Sequence, residues 1–162
     1  FLESVPRVGY FVKKLDLGEL EEIFEIRLVI ETLVCSRAIK HIDNNSIQDL
    51  ENNIALTEAA LESNAPQLFL KYDEEFHETL VKSAGSKHLF NLCQQLRRLM
   101  LRYRAASVRV LPSVKEALEG HRRIVTCLKK RDAKGLQAEI IAHLNYSKED
   151  IRKQAISGRP SA

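Results

Sequence analysis

Apolar residues recur every three or four positions over most of this chain, and the breaks between periodic stretches are only a few residues long. That pattern limits the fold more than any other feature. It implies amphipathic helices joined by short connections, which pack antiparallel into a bundle. The first helix runs from about Asp16 to His41, with Leu20, Phe24, Arg27, Val34 and Ala38 on one stripe and Ile23 and Ile30 beside it. Asp16 suits its N-cap, with Glu19 as capping-box partner. Asp43-Asn-Asn-Ser46 breaks the pattern and offers caps for a second helix, about Ile47 to Glu62, with apolar positions at Ile47, Leu50, Ile54 and Leu61. Pro66 suits the first turn of a third helix, which runs to about Ala84 and stops at Gly85. A fourth spans about Lys87 to Val110, with Leu89, Leu92, Leu96, Leu99 and Tyr103 in register. Leu111-Pro-Ser113 separates it from a fifth, about Val114 to Lys130, and Arg131-Asp132 turns into a sixth, about Ala133 to Gln154. The expected fold is all-α, an antiparallel bundle of about six helices with a short extended N-terminal segment.

Residues 1–15 differ in character. Pro6-Arg-Val-Gly-Tyr-Phe-Val12 places a turn glycine before β-prone residues and reads as an extended piece too short to make a sheet alone. Residues 16–156 form the helical domain, and residues 157–162, Ser-Gly-Arg-Pro-Ser-Ala, a frayed tail. The chain has 162 residues, enough for one domain with a core. Lys and Arg number 25 against 22 Asp and Glu, and a net charge of +3 is too weak to argue for nucleic acid by itself. No apolar run approaches the ~20 residues of a membrane span, and Phe1-Leu-Glu-Ser-Val is not a signal peptide. Without an initiator Met, the chain reads as a fragment or a processed product. Cys35, Cys93 and Cys127 are widely spaced among apolar neighbours and read as reduced core cysteines of an intracellular, cytoplasmic protein. There is no P-loop, GxSxG or HExxH.

Four residues interrupt the apolar stripes. On the third helix Asp73 and His77 share the face of Leu70, Leu80 or Val81, and Ala84. His121 lies on the stripe of Val114, Leu118, Val125 and Leu128, and His143 on that of Leu136, Ile140 and Leu144. Singly, an inward histidine is ordinarily a hydrogen-bonded core residue, and an Asp–His pair one turn apart a helix-stabilising contact. Together, three imidazoles and a carboxylate at core positions suit one divalent cation, which supplies the buried carboxylate's partner. Zn²⁺ is placed first, with Ni²⁺, Mn²⁺ and Fe²⁺ as alternatives. His41 and His88 fall at helix boundaries and read as surface or capping residues. Arg27 also interrupts a stripe, as an i,i+4 ion pair with Glu31 or as a bidentate clamp for an anion. Arg98 and Arg102 are further anion-binding candidates, although Arg97, Arg98, Arg102, Arg104 and Arg109 together read as a solvated face or a subunit contact.

These residues resemble the all-helical FCD domain, the effector-binding domain of GntR-type transcription regulators of the FadR subfamily. The resemblance covers residues 10–155. It is carried by Asp73-Glu-Glu-Phe-His77 followed by Ser83-Ala-Gly-Ser86, by Glu119-Gly-His121-Arg-Arg-Ile, by Ala142-His143-Leu144, and by Glu25-Ile-Arg27-Leu-Val-Ile-Glu31. Residues 6–12 look like the strand that leaves the wing of a winged-helix DNA-binding domain, so residues 1–15 would be its remnant and linker. The resemblance implies that Asp73, His77, His121 and His143 hold a divalent metal and that a small organic acid, a carboxylate, occupies its remaining positions. It makes Arg27 a polar wall of the effector pocket, and Arg102 is kept as a second effector contact. Two departures, Ser86 for a commoner Asn and Gly120 for a longer residue, touch no ligand position. Relatives that bind acyl-CoA lack the metal set, which argues against that effector here.

The function expected is that of a ligand-sensing, non-enzymatic domain of a homodimeric bacterial regulator, reaching operator DNA only through the missing N-terminal domain and making no membrane contact. A metal-dependent helical-bundle enzyme and a metal-braced structural adaptor are the alternatives. Against the enzyme, the stripes show no spare inward Glu or His to serve as general base, and the paired Glu-x-x-His motifs of di-iron bundles are absent.

Overall fold

The computed structural model describes residues 2–5, 9–12, 16–63, 65, 67–107 and 111–157. Two strands, β1 (Leu2–Val5) and β2 (Gly9–Val12), precede six helices: α1 (Leu17–His41), α2 (Asn44–Glu62), α3 (Gln67–Ser83), α4 (Lys87–Ser107), α5 (Leu111–Lys130) and α6 (Ala133–Ser157). The strands pair antiparallel, Leu2 opposite Val12 and Val5 opposite Gly9. The extended piece therefore folds back into a two-stranded ribbon, which the residue pattern alone did not predict. Pro66, Arg109 and the tail from 158 onward lie outside the described residues.

Helix boundaries follow local chemistry. The Asp16 carboxylate accepts the amides of Gly18 and Glu19 at the start of α1, while the Glu19 carboxylate takes the Tyr103 hydroxyl at 3.0 Å. Asp43 accepts the Ser46 amide at 2.7 Å, so α2 begins at Asn44, three residues before the first apolar position of its stripe. Leu111-Pro-Ser113 is not a separator but the first turn of α5, where proline has no amide bond to lose. Gly85, at φ 65°, closes α3 as expected.

The core runs through all six helices. Leu20, Phe24, Leu50, Phe76, Leu80, Leu128, Leu136 and Ile140 are among its buried members. On α4 the buried face is Cys93, Leu96, Met100 and Tyr103, whereas Leu92 and Leu99, expected in register with it, are largely exposed. The two registers differ by one residue in phase, and tertiary packing selects between them. α1 lies against α3, α4 and α6, while α2 packs on α3 and α5. The Arg122–Glu58 and Lys129–Glu51 ion pairs tie α5 to α2. Cys35 and Cys93 are buried free thiols, pushed up to about 12 and about 11 by that burial. Cys127 is only half-buried.

Two arginines close helix ends on other elements. Arg37 donates to the Ala84 carbonyl at 3.1 Å, at the end of α3. Arg131 donates to Ile39 and Ile42 carbonyls at 2.9 and 2.8 Å, at the end of α1. Arg131 has φ 54°, a left-handed backbone that L side chains adopt only at a cost. Arg131→Ala keeps that strain and loses both charge-assisted bonds, so urea denaturation should show a loss of about 1–2 kcal/mol. Arg131→Gly should lose less, because glycine takes positive φ freely.

Candidate metal centre

Three helices bring the four interrupting residues to one point. Asp73 and His77 come from α3, one turn apart on the inner face. His121 comes from α5 and His143 from α6, and all four are buried. One ligand atom from each lies within 4.8 Å of the other three. Asp73 Oδ1 stands 3.5 Å from His121 Nε2 and 3.9 Å from His77 Nε2. The imidazole centroids are 5.0–5.3 Å apart. These gaps are longer than a good hydrogen bond. They match the roughly 3–4.5 Å between ligand atoms that share an ion at bond lengths of ~2.0–2.2 Å. The donor set and its spacing therefore fit a divalent cation. His41 and His88 are exposed and take no part.

The surroundings fix the rings. His121 stacks on Phe76, centroids 3.9 Å apart and planes 8° from parallel. Gly120 leaves space for His143: a Cβ there would lie 2.8 Å from its Nδ1. The Gly120 departure noted in the sequence thus bears on a ligand position after all, through packing and not through its own side chain. His77 is held neutral well below the ordinary histidine range, first by burial and then by the positive charge of Arg97 and the neighbouring histidines. A neutral imidazole keeps the lone pair that a metal needs.

Arg27 and Glu31 add a second layer. Arg27 Nε donates to Glu31 Oε1 at 2.8 Å, and both residues are buried. Glu31 Oε2 faces His77 Nδ1 at 3.9 Å, on the ring edge away from Asp73. A carboxylate there favours the tautomer that presents Nε2 to the cluster. The i,i+4 pair foreseen in the sequence is therefore present, and it is buried. Glu31 is also an inward carboxylate that the stripe pattern passed over; its position one turn from Arg27 was the available signal. Beside the cluster a cavity of about 40 Å³, room for roughly three waters, is lined by Arg27, Asp73, His77, Ser113, His143 and Tyr146, among others. Ser113 Oγ donates to Asp150 Oδ1 at its edge. Ser113 escaped notice in the sequence because Pro112 marked that stretch as a break. Arg98 is exposed, and the side chain of Arg102 lies outside the described residues.

Residues 22–146 match the FCD domain. The chain belongs to the FCD family. This is the effector-binding domain of GntR-type transcription regulators. The FCD chain is 25% identical over 159 residues to the HTH-type transcriptional regulator YdhC of Bacillus subtilis, covering 98% of this chain and 71% of that one. It covers 65% of the length of a second such regulator, the repressor RspR of Escherichia coli. Its fold is that of McbR/YncC of Escherichia coli, with a TM-score of 0.83 at 17% identity over 94% of this chain and 77% of that one. It also superposes on the metal-free FCD domain of TM0439, with a TM-score of 0.76 at 15% identity over 90% of this chain and 99% of that one. Among the described residues, no helix is long and apolar enough to cross a membrane.

Removing one partner of a buried ion pair strands the other charge in the core, at about 3–5 kcal/mol. Arg27→Met should therefore destabilise the domain by about that much in urea denaturation. Adding Glu31→Gln should recover more than half of the loss, since the stranded charge is then gone.

Proposed function

We propose that this domain senses a small organic acid through one divalent metal ion held by Asp73, His77, His121 and His143. The observation that carries the reading is the convergence of these four buried side chains from three helices to within 4.8 Å beside a cavity that Arg27 also lines. A bound divalent ion would supply positive charge and open coordination positions for a carboxylate. Zn²⁺ suits the three imidazoles and one carboxylate best, with Ni²⁺, Mn²⁺ or Fe²⁺ as alternatives. The FCD domain of TM0439 was solved in a form called metal-free, which supports a metal in this family.

In this reading the chain's own residues divide the work. Glu31 orients His77, Phe76 and Gly120 fix His121 and His143, and Arg27 meets the acid's carboxylate with the part of its guanidinium not given to Glu31. Arg102 is the proposed second effector contact. The small cavity favours an acid of few heavy atoms. Acid binding shifts the packing of α1 and α3 and so the spacing of two DNA-binding domains in a homodimer. Residues 1–15 would then be the end of a winged-helix domain and its linker, to which the β1–β2 pairing lends support. Residues 16–156 would be the sensing domain of a cytoplasmic, non-enzymatic regulator that reaches operator DNA only through that N-terminal domain.

Elemental analysis tests the metal. The purified protein should carry roughly one divalent ion per chain, and His121→Ala with His143→Ala should abolish it. Gly120→Ala should stay helical, because alanine is the better helix former, yet bind metal about 10–100-fold more weakly as His143 is pushed aside. A thermal-shift screen of small carboxylates should find stabilisation only in metal-loaded protein, about 2.7 kcal/mol at about 100 times Kd. Arg27→Lys should keep the metal and lose that shift. Metal-free protein after reconstitution would return the histidines to an ordinary hydrogen-bonded core.

A further inference from the structure

The cavity beside the four-residue cluster has two chemically different ends. One end is the cluster with Arg27. The other is built from Ser113 of α5 and from Tyr146, Ser147 and Asp150 of α6. Helical spacing puts these groups together. Ser113, Ala117 and His121 follow at steps of four residues on one face of α5, and His143, Ser147 and Asp150 at steps of four and three on one face of α6. Ser113 stands eight residues before His121 and Asp150 seven after His143, which is about 12 and about 10 Å of helix rise. A group that meets Ser113 and Asp150 is therefore remote from the cluster. Phe69, Val114, Ala117 and Ile151 give the cavity its apolar wall.

The far end is a built polar site. Ser113 is only 7% exposed, and its hydroxyl donates to Asp150 Oδ1 at 2.5 Å. Having given its proton, Ser113 keeps lone pairs to offer, and a carboxylate such as Asp150 only accepts. This end therefore calls for a donor. Tyr146 adds the complementary half. Burial and then the Asp150 carboxylate hold its phenol above the ordinary value, with an interaction from Ser113 opposing them. The phenol keeps its proton at neutral pH and is able to donate. A hydroxyl group satisfies both requirements, because it donates and accepts at one oxygen. An ammonium group donates only, a methyl group does neither, and a second carboxylate would set like charge against Asp150.

We propose that Ser113, Tyr146 and Asp150 read the far end of the acid, and that they select a short monocarboxylate whose hydroxyl lies remote from its carboxylate. The inference rests on the acid-sensing reading and names the class of acid. Arg27 and the cluster take the carboxylate, the apolar wall takes the carbon chain, and the Ser113–Asp150 pair takes the hydroxyl. Buried groups that lose their partner are costly, so this end discriminates against an acid that lacks the hydroxyl.

Calorimetric titration of the zinc-loaded chain with 3-hydroxypropionate, butyrate and succinate tests this. Butyrate puts a methyl where the hydroxyl stands and should bind about 10–100-fold more weakly. Succinate should bind more weakly still, and Asp150→Asn should improve it about tenfold by removing the like charge. Ser113→Ala should abolish the preference for 3-hydroxypropionate over butyrate, with helicity, zinc content and butyrate affinity unchanged. The affinity for 2-hydroxypropionate, whose hydroxyl sits beside its carboxylate, should not respond to Ser113→Ala. Tyr146→Phe should weaken 3-hydroxypropionate alone. Equal binding of 3-hydroxypropionate and butyrate would overturn the inference and leave the acid-sensing reading standing. Succinate affinity unchanged by Asp150→Asn would overturn the role of Asp150, and a loss of 2-hydroxypropionate binding in Ser113→Ala would overturn the remote placement of the hydroxyl. No binding of any of these acids by zinc-loaded protein would overturn the sensing reading and this inference together.

Discussion

A carboxylate and three imidazoles packed at the centre of a helical bundle are costly to bury, because each must give up water and find another partner. In this domain that requirement organises the interior. Asp73, His77, His121 and His143 interrupt stripes that are otherwise apolar, and they come from α3, α5 and α6 to a common point. Burial holds His77 neutral, Phe76 lies flat against His121, and Gly120 gives up a side chain so that His143 fits. The helices cannot slide past one another without separating these groups. The same constraint keeps a small cavity open beside them, since polar atoms that face it do not close together as apolar side chains would.

α1 links this centre to the outside. The buried Arg27–Glu31 pair is an expensive thing for a helix to carry, and well-packed apolar residues would often be as stable. Its position explains its presence better than stability does: Glu31 faces one edge of His77, and Arg27 lines the cavity. Around the helix from this pair, the same element shows Val29 and Leu33 to solvent. Under the proposed function, an acid drawn to Arg27 acts on a helix that also packs against α3, α4 and α6. Coupling then needs no long chain of intermediate contacts, only a shift of one rigid body between two packed arrangements.

The helical architecture and the four convergent residues were legible in the sequence for one reason: a 3.6-residue period writes burial directly onto residue spacing. Leu118, His121, Val125 and Leu128 could be placed on one inward face of α5 without knowing what they faced. The phase of α4 was not legible in the same way. Its apolar residues occur at both Leu92–Leu96–Leu99 and Leu96–Met100–Tyr103 spacings, and only packing buries the second set. The place of Glu31 beside His77 and that of Ser113 at the cavity were missed, because a carboxylate one turn from an arginine and a serine after a proline have commoner local explanations. Gly120 looked neutral because its role is the absence of a Cβ, visible only once His143 is placed 2.8 Å from where that atom would be.

By itself, then, the sequence determined the class of element, the faces those elements bury and the family motifs they carry, because these depend on residues near one another along the chain. The tertiary structure alone decided which faces meet. Distances such as the 3.5 Å between Asp73 and His121, the pairing of Arg131 with the end of α1 across 92 and 89 positions, and the exposure of Val29 depend on residues that are remote in sequence. No local period encodes them; they follow from how six amphipathic surfaces share one interior.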